Sequence, residues 1–544
     1  MRHYTTTERF LSLFTTLRPE EGSGAVRLSL QAFLILFAYY LLKVIREPMI
    51  LADGSAELKA YTTAIQAGVL MLIVPIFAKL YSGVSNLDGK HHLMRRILLF
   101  FIINLFALGL CYRLGWHIGI TFYVWLGIFS VMVLALFWSF AADLYNLKSG
   151  QRIFPLIAAA GALGAYLGAK MAGWLDPLVG HDGVMYTSAC LLLVPWWMSK
   201  RVEKTIPAGS ESYLDDHQEE PSASALEGFR VVLRSPYLIL IAVFVITLNL
   251  INTNGEYILA RFITEQASML ASSGQLVGSQ DDFITAFYSS YLAWFTLISF
   301  LIQLFLVSRI FDRIGVRGAL LVLPVVMVAS YSLILLFPVL ALVRASMIVE
   351  NSINYSLQNT TRHALFLPVN REEKYIGKHV IDTFFFRIGD LLSAAAVFVG
   401  SAMLGVGILG FVGTNIVLAV VLFGLSRAIG QRNAGVIREN LGNLPPVLAA
   451  PLPDMDIPAG EITRFTIQEG TFVDPDEGDA LKYRAFTEEL GKLPTWIKFD
   501  GLKGIFHFHP PRGQEGAIEI RVVARDFDGL EADARFVVSY SSNG

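Results

Sequence analysis

The chain has 544 residues, of which 54% are apolar and only 16% charged, with a formal net charge of −2. An ordinary soluble domain is about 25% charged, so this composition excludes a wholly water-facing surface, and the near-zero balance gives no ground for nucleic-acid binding. The apolar residues gather in blocks of about 18 to 25, long enough for a helix to cross a hydrocarbon core of about 30 Å. Membrane lipid is therefore the expected solvent for most of the chain.

Residues 1–24 are polar and charged, and the apolar run that follows continues for a full span. No cleavable signal is expected there, and the first helix acts as its own targeting signal. Apolar spans read at 25–45, 60–82, 95–114, 119–142, 153–174 and 183–199, within a first half covering 25–200. Residues 201–235 carry Asp-Asp and Glu-Glu runs with Pro and Ser, a composition that builds no core and reads as a linker. A second half, 236–430, holds spans at 237–260, 283–308, 317–337, 339–359, 380–403 and 406–427. The fold class expected is an all-α polytopic membrane protein of twelve transmembrane helices in two six-helix halves. Cys111 and Cys190 fall inside apolar runs and read as small buried hydrophobes rather than a disulfide or a metal pair.

Loops rich in Lys and Arg stay on the cytoplasmic side. With the N-terminus inside, the internal loops hold Lys90, Arg95, Arg96, Lys148, Arg152, Lys200, Arg201, Arg309, Arg313, Arg371 and Lys374, and the external ones only Arg46, Lys59, Arg113 and Arg261. Both termini are thus expected in the cytoplasm of an inner-membrane protein. After a Pro-bearing linker at 431–450, short alternating runs such as "AIEIRVVA" and "ARFVVSY" predict an all-β sandwich over 451–544.

A charge inside a bilayer usually faces a cavity or a partner. The candidates for a substrate-facing set are Lys43, Arg46 and Glu47 in the first helix, Asn252 and Glu256 in the seventh, and Asp382, Arg387 and Asp390 in the eleventh. Asp143 near the end of the fourth helix, with Asn249 and Asn254 in the seventh, adds polarity. Snorkelling at helix ends and hydrogen bonding between helices are the competing explanations. Arg387 and Asp390, three residues apart on one helix face, are expected to pair, with Asp382 a poorer partner. Gly161, Gly164, Gly168 and Gly173 give the fifth helix a small-residue face suited to close packing. No nucleophile–base set and no phosphate-cradling Gly-Lys-Ser/Thr loop occurs, so an enzyme is not expected.

Three segments carry a family likeness: "LLKVIREPMILADGSAE" at 41–57, "FWSFAADLYNLKSGQRIFPLIAAAGALGA" at 137–165 and "REEKYIGKHVIDTFFFRIGD" at 371–390. They resemble the nucleotide transporters of plastids and bacteria. The "RIFDRIGVRG" stretch at 309–318 resembles the Asp-Arg-x-Gly loop of the major facilitator superfamily, whose two-halved fold is thereby implied. The ATP/ADP exchangers of that family place a lysine at the position of Arg46, a glutamate in the fourth helix where "FYVWLGIFSVMVLALFW" has no acid, a glutamate at Asn252 and a lysine at Asp390. Two of these four charges are neutral here and one is reversed, which argues against ATP/ADP exchange; a less charged substrate, or a proton-coupled one with Asp390 or Glu256 as carrier, fits the pattern equally well. The 472–485, 493–500 and 522–529 segments resemble cadherin-like and immunoglobulin-like modules. There Asp474, Asp476, Asp479, Asp526 and Asp528 either ligate Ca²⁺ or simply make turns. No other cofactor is expected.

Two functions remain open at this stage. One is a secondary transporter with a polar cavity between its halves. The other is a non-transporting membrane subunit or scaffold that binds a partner complex through its helices and its β-domain, with the cleft filled by Phe129, Phe137, Trp138, Phe384, Phe385 and Phe386.

Overall fold

In lipid every backbone N–H and C=O must be satisfied within the chain, so long apolar runs become helices. The computed structural model describes residues 22–82, 87–144, 147–202, 225–370, 372–440, 444–475, 481–487, 491–526 and 529–541. In the first half α1 is Gly22–Ala52, α2 Ala56–Ser82, α3 Leu87–Arg113 and α4 Gly119–Leu144. The next helical stretch, Leu147–Val202, is two helices broken at Gly180, whose φ of 74° suits glycine alone. These are α5 (147–179) and α6 (181–202).

In the second half α8 is Pro236–Ser272 and α9 Gln280–Phe305, while α10, Val307–Leu336, is broken at Gly315 with φ 63°. The stretch expected as a loop at 309–318 is thus largely a short helix that turns at this glycine. Helix α11 (340–364) passes through a π-helical turn at Asn354–Gln358. Helix α12, Glu373–Met403, contains three such turns, and α13 is Ile408–Asn440. Ten helices among the described residues are long and apolar enough to cross a membrane. One of the ten contains both α5 and α6, and α11, which carries Arg344, Glu350, Asn351 and Asn354, is too polar to be among them; with both counted, twelve long helices are described, six in each half.

The polar stretch expected as a linker contains a helix, α7, at Ala225–Arg234. Val232 is fully buried and Val231 nearly so, so this amphipathic segment docks on the bundle; residues 203–224 lie outside the described residues. Likewise α13 continues as helix through the first part of the expected 431–450 linker. Cys190 is exposed and Cys111 half-buried, both free; facing lipid suits a small apolar side chain as well as a core does.

The small-residue face of α5 lies directly on α1. A Cβ added at Gly164 would sit 2.3 Å from the Phe33 carbonyl oxygen, and one at Gly168 2.3 Å from that of Phe37. Gly389 of α12 is pressed in the same way against the Ile246 carbonyl of α8, at 2.8 Å, and this close approach lets side chains of α8 reach across to α12.

The C-terminal strands form a second compact unit. They are β1 Val447–Leu448, β2 Met455–Pro458, β3 Thr463–Thr466, β4 Phe472–Val473, β5 Lys482–Phe486, β6 Ile497–Asp500, β7 Ile505–Phe508, β8 Gly516–Arg525 and β9 Glu531–Ser541. One sheet has the order β2-β9-β8-β5 and another β3-β7-β6, with a small β1-β4 pair. Among the described residues only β2 and β9 pair in parallel. Phe506, Phe508, Ile520, Val522, Phe536 and Val538 are buried between the sheets, and the intervening positions of β8 and β9 carry ion pairs such as Arg521–Asp533 at 2.9 Å. This two-residue alternation is what a half-buried sheet requires.

Candidate functional site

Polar side chains from both halves meet midway along the helices around a cavity of about 290 Å³. From the first half α1 contributes Tyr39, Lys43, Arg46 and Glu47, α2 contributes Lys59, Thr63 and Gln66, and α4 contributes Tyr123. From the second half α8 contributes Asn249, Asn252, Thr253 and Glu256, α9 Tyr291 and Phe295, α11 Asn351 and Tyr355, and α12 Phe386, Arg387 and Asp390. Tyr355 belongs to the π turn of α11, and Phe386 directly follows a π turn of α12; such turns re-aim side chains at functional sites.

Glu47, only 2% exposed, pairs with Arg46 on one side and lies 2.7 Å from Lys59 Nζ on the other. Lys59 is equally buried and also lies 3.4 Å from Glu256 of the opposite half, whose other oxygen accepts the Tyr291 hydroxyl at 3.3 Å. The Arg46 guanidinium covers the Tyr123 ring at 4.2 Å. Lys43 differs from these. Its ammonium lies over the Tyr40 ring at 5.3 Å and the Phe295 ring at 5.8 Å, and among the described residues it has no carboxylate partner.

Asp390 is held on three sides. Its Oδ1 accepts from Asn249 Nδ2 at 2.8 Å and Thr253 Oγ1 at 2.7 Å, and its Oδ2 accepts from Arg387 at 3.2 Å. Asn249 donates also to the Phe386 carbonyl, which ties α8 to α12. The expected Arg387–Asp390 pair is therefore present. Arg387→Ala should lower stability by about 1–3 kcal/mol, and adding Asp390→Asn should return part of it, a coupling that a double-mutant cycle on thermal unfolding measures. Strict additivity of the two changes would mean that the contact contributes nothing.

Seven of the eight residues expected to face substrate thus surround one cavity. Asp382 does not: it faces Arg362 of α11 at 3.7 Å, since five positions along α12 turn it away from Arg387. The side chain of Asp143 lies outside the described residues. Asn254 bonds Asn415 of α13 at 2.6 Å, a link between helices away from the cavity lining. Asn252 lines the cavity, and its buried Oδ1 has no hydrogen-bond partner among the described residues. Lys59 is the residue that sequence reasoning missed. Counted as an external-loop charge, it lies inside α2, which begins at Ala56 rather than near 60. Arg46 was counted in an external loop too, yet it belongs to α1.

Five of the six aromatic residues expected to fill the cleft pack elsewhere. Phe129 stacks on Trp125 at 5.6 Å, Phe137 is buried within the first half, and Trp138 is 38% exposed. Phe384 and Phe385 each lie 5.4 Å from Phe229 of α7, and Phe386 alone of the six lines the cavity. Nearer the start of α2, Glu57 accepts from Tyr257 at 2.8 Å, Arg261 at 3.0 Å and Ser401 at 3.3 Å, bridging α2 to α8 and α12.

In the β-domain Asp526 Oδ1 accepts the backbone N–H of Gly529 at 2.6 Å and of Leu530 at 2.7 Å, the turn-making role. Asp474 stands just after β4, and Asp476, Asp479 and Asp528 lie outside the described residues. Among the described residues no three His, Cys, Asp or Glu side chains gather to hold a metal ion.

Residues 109–347 match the TLC ATP/ADP transporter family model. That match lies within the helical unit and spans less than half of the chain. The chain is similar to ADP,ATP carrier protein 1 of Chlamydia muridarum, 23% identical over 435 residues that cover 66% of this chain and 78% of the carrier. The chloroplastic ADP,ATP carrier protein 1 of Arabidopsis thaliana is also 23% identical, covering 66% of this chain and 65% of that one. The helical unit shares its fold with the nucleoside transporter NupG, at a TM-score of 0.54 and 13% identity over 76% of this chain and 99% of that structure. Residues 445–541 match the He_PIG Ig-domain model. The helical unit is thus similar to TLC ATP/ADP transporters, and the C-terminal unit to an Ig-like domain.

Proposed function

We propose that the cavity between the halves is the substrate path of a secondary transporter for a compact organic anion of low charge that offers a planar ring. A nucleoside monophosphate is the nearest such molecule to the nucleotide carriers that this chain resembles. The balance of charge around the cavity carries the reading. Four cations, Lys43, Arg46, Lys59 and Arg387, face three carboxylates, Glu47, Glu256 and Asp390, which leaves one positive charge at ordinary ionisation. Three of the cations already have an acid partner, and Lys43 remains for the ligand. A polyphosphate of about four negative charges would need several unpaired Lys or Arg donors, whereas a phosphate monoester carries about −1.5 to −2.

Size supports the same choice, because about 290 Å³ lies at the small end of ligand pockets, which run from about 300 to 1,000 Å³. Tyr39, Tyr123, Phe295, Tyr355 and Phe386 provide ring faces for a flat group. Purified protein should therefore melt at a higher temperature with AMP than with ATP at equal concentration, since a ligand of the native state stabilises in proportion to its occupancy. Greater stabilisation by ATP would reject the low-charge reading.

The same proposal places the N-terminus, α7 and the β-domain in the cytoplasm. With Arg46 and Lys59 inside helices, and Arg261 inside α8 bonded to Glu57, the loops on the other face keep even fewer basic residues than the sequence count allows. Protease added outside sealed cells should leave the β-domain intact; its cleavage without lysis would invert the topology.

A further inference from the structure

Glu350 of α11 is fully buried, and no part of the function above uses it. Its Oε1 accepts the Tyr331 hydroxyl of α10 at 3.2 Å, and its Oε2 has no hydrogen-bond partner among the described residues. The groups around it are neutral or acidic. From α8, Glu256 is the neighbouring charge, and Gly255 lies so close that a Cβ there would stand 2.5 Å from the Tyr331 hydroxyl. From α13, Asn415 faces the same hydroxyl while bonded to Asn254 and to the Ile251 carbonyl. From α9, Tyr291 accepts from Asn351 at 2.6 Å and donates to Glu256. Among the described residues no Lys, Arg or His pairs with Glu350.

A bare carboxylate in such a place loses its hydration with one phenol as compensation, at a cost of several kcal/mol, and takes up a proton instead. Glu256, 32% exposed and paired with Lys59, borders the cavity and is also the charge that acts on Glu350. We propose that Glu350 is a proton-binding site of the transport cycle. It holds a proton while sealed as seen here, and when the helices move to admit water it gives that proton to a water molecule and becomes a carboxylate, to be reprotonated on closure. The coupling to transport rests on the transporter reading above; the bound proton does not.

Infrared spectroscopy of the purified protein reads the proton directly. The wild type should show the C=O stretch of a buried carboxylic acid that persists at neutral pH, and Glu350→Gln, which keeps shape and acceptor, should lose that band. The same band in both proteins, or none in the wild type, would overturn the assignment. Should Glu350→Gln fail to fold, Tyr331→Phe decides: removing the donor should shift the band to higher frequency, and an unshifted band counts against the site. In proteoliposomes, AMP uptake by the wild type should accelerate several-fold under an imposed proton gradient, while Glu350→Gln keeps uptake without that response. An equal response in both would overturn the coupling. Absence of uptake in both would reject the proposed substrate and leave the infrared result to settle the proton.

Discussion

Replacing Glu47 with Ala should destabilise the protein by about 3–5 kcal/mol, the usual consequence of removing one member of a buried ion cluster. Glu47 is 2% exposed and serves two cations at once. Without it Arg46 keeps the Tyr123 ring but no acid, and Lys59 keeps only Glu256 at 3.4 Å. Both charges would then be buried with incomplete compensation, and the loss is a large fraction of an ordinary domain stability of about 5–15 kcal/mol. Thermal unfolding in lipid nanodiscs measures the effect. Adding Lys59→Met to Glu47→Gln, which removes one charge of each sign, should recover much of the stability. A Glu47→Ala protein within about 1 kcal/mol of the wild type would mean that water, rather than the two cations, compensates this carboxylate.

Gly168→Val should also be damaging, by a different route. The added carbon would meet the Phe37 carbonyl at 2.3 Å, and this neighbour is backbone, which cannot rotate aside as a side chain does. Either α5 lifts from α1 along a contact that Gly164 shares, or α1 bends. Overpacking of this kind costs about 1–3 kcal/mol and at times more, and it moves the helix that holds Lys43, Arg46 and Glu47. The expected result is loss of monodisperse protein on purification, together with loss of transport. Gly413→Ala on α13 is the matched control, because nothing lies within 4 Å of its new carbon and an alanine favours the helix by about 0.5–1 kcal/mol. Normal behaviour of Gly168→Val would contradict the close α1–α5 approach.

Much of this site was legible because a charge inside an apolar run is conspicuous. Lys43, Arg46, Glu47, Arg387 and Asp390 stand out for that reason, and helical periodicity alone pairs the last two. Lys59 escaped because the apolar run begins after it, although the helix starts a turn earlier at Ala56. Glu350 sits well inside the span read at 339–359 and signals a buried acid by the same rule that selected Asp390; what sequence could not supply is that, among the described residues, no cation pairs with it. Asp382 was included on proximity in sequence, and only the tertiary fold shows Arg362 beside it. Helix α7 was hidden by its polar surroundings, since two buried valines in ten residues are a weak signal until the surface they dock on is known.

Uptake into proteoliposomes tests the central claim most directly, with labelled AMP and ATP presented in turn to the wild type and to Lys43→Gln. The charge balance of the cavity predicts saturable AMP uptake by the wild type, little ATP uptake, and at least a tenfold loss of AMP uptake in Lys43→Gln, corresponding to about 1.4 kcal/mol for one charge-assisted contact. Saturable ATP uptake at or above the AMP rate, or AMP uptake unchanged by Lys43→Gln, would contradict it.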